Sequence, residues 1–576
     1  MKKLHITTLL LLFVFATSIN ARTETTSTEV EGIALSKSVL RLEQGKSETL
    51  EALMIPFDAP ETVVIWNVDD ETIATVDAGI VTAVGIGTAT ITASSADGRV
   101  KAACTICVRA EGEPLPSNMP PMMPSGNGDN RSQSMPPSGM GAGGPGGRGG
   151  MPPGGMGGMG GGRGGMPPGG GNRPPDMQGG NGRPGMPPGG AMMIADNSSA
   201  VDANGYVHQE GDTAFVDVTF SSSTTDANAV KVSGGSVKLE NCTIKKEDGK
   251  TSNSDGSSFY GLNAAILARM GGHVEMTGGT ISTNAEGANA IVAYGGEVTV
   301  ENTSISCESR LSRGIHATGG GKITARNLDA STLGPNSSII ATDRGGGEVN
   351  VTKGSYTCAG QDCAVIYSTG DITVNNITGG SLVGEIGVIE GDNIIAINNS
   401  RLSSGAGEQS RGLMILQSGS GDAGEGLNGI ITVCGGQLKL TGLAPLIEIV
   451  TNVTGKVTLD AVETIIPSGV LMKVDYNKRW QTNGATGILV LSGNDTKYEG
   501  DIVTDKYSSA DVTINSGAEW IGAYNASKSA KRTTLTINGG VWTMTANSYI
   551  DKVVIMNGGK IEKQGFVLKC GEYEVK

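Results

Sequence analysis

Aromatic side chains make up only 4% of the 576 residues, with 7 Phe and 4 Trp. A chain so poor in large rings cannot fill a broad interior, but it can stack small and β-branched side chains in thin layers. Histidine is scarcer still, at 4 copies. No Cys pair stands near His at zinc-ligand spacing, so no metal or cofactor is expected. Basic residues are outnumbered, 43 Lys and Arg against 57 Asp and Glu, for a formal net charge of −14. A nucleic-acid surface needs clustered cations to displace phosphate counterions, so that class of partner is excluded. Past the N-terminus there is no apolar run of ~18 residues, so no transmembrane helix is expected in the mature chain.

What the chain does have begins with an export signal. Lys2 and Lys3 precede a mostly apolar run from Ile6 to Ile19, and Ile19-Asn20-Ala21 suits cleavage, so residues 1–21 read as a signal peptide. Export permits disulfides, yet the 8 cysteines do not form a framework. Cys104 and Cys107 lie three apart on an expected strand and point to opposite faces. Cys358 and Cys363 are near enough to bridge across a turn, with free half-buried thiols as the alternative.

Residues 33–108 carry short alternating apolar blocks: Val63–Trp66, Ile73–Asp77, Ile80–Val84 and Thr88–Ala93, punctuated by Gly79, Gly85, Gly87 and Asp97-Gly98. That spacing predicts a small antiparallel sandwich, with Trp66 anchoring its core and Asp69-Asp70 in a turn. The wording Trp66-Asn67-Val68-Asp69-Asp70, Ile73-Ala74-Thr75-Val76-Asp77 and Gly79-Ile80-Val81-Thr82-Ala83 resembles the group 2 bacterial Ig-like domain. The resemblance implies a spacer or adhesive module of an exported bacterial surface protein. Residues 114–190 are low complexity, rich in Gly, Pro and Met with no hydrophobic period. They are expected to be a disordered linker, because such a chain cannot bury enough surface to offset its ordering entropy.

Residues 193–576 form a repeat array. Ile266, Ile291, Ile315, Ile340, Ile366 and Ile389 mark one column, and Val274, Val298, Ile323, Val349, Ile372 and Ile395 a second, at a period of about 24. After each second marker comes a corner position, occupied by Asn241, Gly278, Asn302, Asn327, Lys353, Asn376 and Asn399. Asn tolerates left-handed backbone and can bond to the same amide one coil away, so Asn241, Asn302, Asn327, Asn376 and Asn399 are expected to form an Asn ladder. The fold class is therefore all-β: an Ig-like sandwich, a linker and a long parallel β-helix of roughly 16 coils. The register loosens past Ser410. Val512–Trp520, Leu535–Trp542 and Val553–Gly559 then restore it, and they resemble the stem of pertactin-like autotransporter passengers, which places a stem and cap from about 480. Trp520 and Trp542 are expected to cap the open end. The chain stops at Lys576, so no outer-membrane barrel and no self-secretion are expected.

The outward positions of the first repeat strand give two stripes. One is Leu267, Val292, His316, Ala341, Tyr367 and Glu390; the other is Arg269, Tyr294, Thr318, Asp343, Thr369 and Asp392. From these, His316, Asp343, Arg344, Tyr367, Glu390, Arg269 and Tyr294 are the candidate ligand-contact patch. No catalytic residue is assigned. The resemblance to pectin-lyase-like β-helices is architectural, and the acid pairs of polygalacturonases are not found. A twelve-residue excess between Val230 and Ile266, carrying Glu247–Ser258, reads as a polar contact loop on the rod. The expected function is that of an exported rod at the cell surface or outside the cell, with the periplasm as a further location. It would bind a polysaccharide or protein without catalysis. The alternatives are a carbohydrate-binding β-helix or a polysaccharide lyase or hydrolase.

Overall fold

The computed structural model describes residues 32–35, 39–50, 52–55, 63–110, 205–405, 410–417, 428–476 and 483–576. The signal segment, the 114–190 stretch and the start of the array at 193–204 lie outside the described residues.

The alternating blocks near the N-terminus form a sandwich that is antiparallel except for one edge, where Val39–Glu43 runs parallel to Lys101–Arg109. Val64–Val68, Gly87–Ser95, Lys101–Arg109 and Val39–Glu43 make a four-stranded sheet, and Ser47–Thr49, Ile80–Ala83 and Ala74–Asp77 a three-stranded one. Ile91, Ala93, Cys104, Ile106 and Val81 fill the space between them, with Trp66 packed against the cluster. Asp70 serves a turn, as its Oδ1 accepts the Thr72 amide at 2.9 Å.

The array is a parallel β-helix. One leg builds a 12-stranded sheet from Tyr206–His208 to Asp501–Thr504, and the other two legs share a 23-stranded sheet. The second marker column pairs in register at every step, from Val274 through Val298, Ile323, Val349 and Ile372 to Ile395. The first column holds from Ile266 to Ile366. It then departs from expectation, because Ile366 pairs with Gly387 rather than Ile389. Gly387 has no side chain to mark the column, so the pattern passes to the next inward-facing apolar residue, Ile389, two positions late. Past Ser410 the coils continue without a break, Ile389 pairing with Ile415 and Ile415 with Ile449. The apparent loss of register comes from lengthened connections.

The corner residues are left-handed as predicted. Asn241, Asn302, Asn327, Lys353, Asn376 and Asn399 have φ between 46° and 58°, and Gly278 has 70°. The amide ladder is only partial. Asn327 Nδ2 donates to Asn302 Oδ1 at 2.8 Å, and both residues are exposed. Asn241 faces Gly278, Asn376 Nδ2 makes no hydrogen bond, and Asn399 Nδ2 donates to the Lys101 carbonyl at 2.7 Å. Better ladders stand one position earlier and nearer the C-terminus. Asn398 donates to Asn375 at 2.9 Å, and Asn538 to Asn515 at 3.1 Å.

Two further expectations are corrected. Cys358 and Cys363 are free and buried. The Cys363 thiol turns to the preceding coil, where Sγ lies 3.2 Å from the Gly334 carbonyl, and Cys358 Sγ sits 3.5 Å from the Cys363 carbonyl. Burial pushes the Cys358 thiol up to about 12 and the Cys363 thiol up to about 11. Trp520 and Trp542 form an internal stack in consecutive coils instead of a cap, below Ile561 of the next coil. Their rings lie 5.3 Å apart and 8° from parallel, fully buried, and each indole Nε1 donates to a glycine carbonyl at 2.9 Å.

That stack is the largest apolar mass in the C-terminal coils. Trp542→Ala is expected to lower stability by about 3–5 kcal/mol. Chemical unfolding of the variant against the parent chain checks this, with the C-terminal coils exchanging amide hydrogens first.

Candidate functional site

The outer face of the 12-stranded sheet is read off its register. Leu267, Val292, His316, Ala341 and Tyr367 do form one column. The next residue in it is Val388, not Glu390, because of the two-residue shift at Gly387. Glu390 lies two residues along the same strand, Gly387–Glu390. Asp392 is carried off the sheet to the next leg, where its field is shared with Arg109, Arg41 and Asp371.

The end of the polar insertion folds into a helix, Ser254–Tyr260, lying against the face it interrupts, while residues 247–253 before it are non-helical and mostly exposed. Asn253 caps its start, accepting the Gly256 amide at 3.0 Å, and Gly261 ends it at φ 72°, a left-handed turn that favours glycine. Asn289 Nδ2 donates to the Ser257 carbonyl at 3.1 Å, and Thr318 Oγ1 to the Phe259 carbonyl at 2.6 Å. Leu267, Val292 and Ala264 form an apolar cluster here, with Tyr294 at its edge. The Arg344 guanidinium lies 4.0 Å over the Phe259 ring, and Tyr260 meets Tyr294 edge-on at 5.3 Å. A sequence signal existed in Asn253, a capping residue type ahead of Phe259 and Tyr260, but a seven-residue helix is too short for apolar periodicity to declare itself.

The candidate residues therefore divide into separate settings. His316 is fully buried, and neither ring nitrogen makes a hydrogen bond. Burial, aided by the nearby Arg313 charge, holds its pKa well below the usual histidine value. Asp343 is 3% exposed and pairs with Arg313 at 2.9 Å, while its Oδ1 also accepts the Arg344 amide. Tyr367 donates to buried Glu390 at 2.6 Å. Arg269 sits 6.0 Å from the Tyr294 ring. Apart from His316, the patch is thus a set of paired groups at successive depths; Arg344 is its exposed member, and Arg269, Tyr294 and Tyr367 are half-buried. Among the described residues no cluster of three or more His, Cys, Asp or Glu has metal-binding geometry.

Sequence reasoning missed a second charged row farther along the rod. Arg411 pairs with Glu448 and, at 3.5 Å, with Glu385. Lys473 then bridges Glu448 at 2.9 Å and Asp475 at 2.7 Å. Burial raises the Glu385 and Asp475 carboxyls above the ordinary range. An open groove of about 290 Å³ adjoins this row, lined by Lys473, Asp475, Asp505, Lys506 and Ser529. The row was hidden because its members are spaced by lengthened coils.

With this geometry in hand, residues 29–106 match the family model of the bacterial Ig-like domain (group 2). The chain is also 26% identical over 307 residues to the BrkA autotransporter of Bordetella pertussis, a match covering 51% of this chain and 27% of that protein. The chain thus spans about a quarter of the length of the relative it matches. Fold and comparison together give a module similar to the group 2 bacterial Ig-like domain and a parallel β-helix, in a chain partly similar to an autotransporter. No helix among the described residues is long and apolar enough to cross a membrane.

Burial makes the rod acid-sensitive at His316. Its pKa is lowered when covered and returns toward 6.5 when exposed. The state that exposes the ring then binds the extra proton, so the covered state is fully stable above about pH 6.5 and is loosened as pH falls below it, at most tenfold in population per pH unit. Hydrogen exchange at residues 315–318, corrected for intrinsic rate, is expected to accelerate on acidification. His316→Leu is expected to abolish that pH dependence.

Proposed function

We propose that this chain is an exported surface protein whose β-helix acts as a stiff binding rod, without catalysis, toward a polysaccharide or protein. The observation that carries this reading is the state of the candidate acids and bases. Asp343 is paired with Arg313, Glu390 accepts from Tyr367, and His316 is fully buried. A hydrolase or lyase needs an acid and a base that reach the substrate, and these groups are turned to holding coils together. The Ig-like match and the likeness to an autotransporter support export to the surface.

Among ligands, carbohydrate is favoured by Tyr260 and Tyr294. These two partly exposed rings meet at right angles beside Arg269, a combination that stacks on sugar faces and bonds to their hydroxyls. A glycan array probed with the purified chain is expected to give hits that fall at least tenfold with Tyr294→Ala. Hits insensitive to Tyr294, alongside capture of a protein ligand, would favour protein as the partner. Release of reducing ends or unsaturated products from acidic polysaccharides, lost in Asp343→Ala, would overturn the non-catalytic reading.

A further inference from the structure

The Ig-like module is not isolated from the rod. Its strand Lys101–Arg109 packs on the outside of Ile394–Asn398 and Asn428–Cys434. The strand is covered on both faces. Ala102, Cys104, Ile106 and Val108 belong to the sandwich core, yet Ala103 and Thr105, which point the other way, are also buried. On the rod, Ile395, Ile397, Ile431 and Val433 point inward, and the alternating outward residues Ala396, Asn398, Thr432 and Cys434 are buried as well. Asn398 Oδ1 accepts the Ala103 amide at 3.1 Å, so the amide ladder that starts at Asn375 ends on the Ig-like strand.

The charges across this seat are complementary. Arg41 pairs with Asp371, and Lys101 with Asp460 at 3.0 Å; Lys456 of the rod reaches Asp69 at 3.5 Å. Burial by the contact pushes the Cys107 thiol up to about 11. The seat is nonetheless finely balanced. Thr105, Thr373, Thr432 and Thr458 each have a buried hydroxyl without a hydrogen bond, and all four lie on these strands or the neighbouring outward positions. Separation lets water satisfy them. The two hydrophobic cores remain distinct clusters, so separation exposes neither.

We infer that this seat on the rod also accepts the Ig-like module of a second copy of the chain, linking neighbouring rods by exchange. The same surfaces meet in both arrangements, so only the effective concentration of the chain's own module favours the internal one. The chain leaves the seat at Ala110 and returns at Gly205, so 94 residues (111–204) join the halves, a contour of up to roughly 300 Å. The advantage of an intramolecular partner falls as about the −3/2 power of such a length. At high surface density a neighbour's module competes. This inference goes beyond the ligand-binding reading and does not depend on it.

Two full-length variants isolate exchange. Arg41→Glu with Lys101→Glu reverses the module's charges, and Asp371→Lys with Asp460→Lys reverses the rod's. Each alone faces like charge at its own seat. Mixed, each module finds a complementary seat on the other chain. Light scattering is expected to show monomers separately and a doubled mass in the mixture, reversed by high salt. A mixture that stays monomeric at about 0.1 mM, or a variant that self-associates alone, overturns the inference. Where a double reversal fails to match the parent's circular dichroism, the single pair Arg41→Glu and Asp371→Arg is read the same way.

Discussion

Every coil of the rod is bound by one constraint: parallel strands repeat at ~4.8 Å, so each side chain must tolerate its own counterpart directly above and below. Apolar columns satisfy this easily, and Val274 through Ile395 stack unbroken. Several charged positions satisfy it by alternating sign, and where Glu348 stacks on Asp371 a cation from outside, Arg41, pairs with Asp371. Glu301 meets Arg326, Lys238 meets Glu275, and Lys497 meets Glu519. Exposed pairs of this kind contribute little individually. Their value lies in avoiding the repulsion that like charges at this spacing would impose in every coil.

The same constraint decides what was legible in the sequence. The inner columns and left-handed corners were readable because repetition writes them many times over. The columns failed where one coil broke the rule, at Gly387, and that single break misplaced both Glu390 and Asp392. The candidate site was legible only as a set of residues. His316, Asp343 and Tyr367 do share one face, but the short helix beside them has no apolar period to announce it. The Ig-like seat was the largest omission. Its one local sign was the strand Lys101–Arg109, where apolar and small residues fill successive positions instead of alternate ones. That pattern marks a strand covered on both faces, yet nothing local says that the cover lies some 300 residues away.

These coverings bear on what the outer surface can do. Near the N-terminal coils the helix Ser254–Tyr260 hides the column that begins at Leu267, and in the middle coils the Ig-like module hides the outward residues around Asn398. Both covers sit on small or apolar side chains, and both are fixed at their edges by charge, Arg344 over Phe259 in one case and Arg41 with Asp371 in the other. A bare parallel sheet would present a flat, weakly polar face with four or more coils in line. Covering it replaces that face with turns, rings and charges, which discriminate among ligands far better than a flat sheet does.

Buried His316 is the most informative residue of this face, because its imidazole makes no hydrogen bond on either nitrogen. Such burial costs about 1–3 kcal/mol relative to an apolar side chain of similar shape. Its column neighbours, Val292 and Ala341, are apolar, and they set no requirement for a polar group at that height. The packing of the rod therefore does not explain the histidine. What distinguishes it from a leucine there is the second protonation state, which becomes accessible only when the ring is uncovered. The structural consequence is a site whose closure depends on acidity, while the columns beneath it, made of Ile315, Ala317 and their counterparts, have no group that titrates.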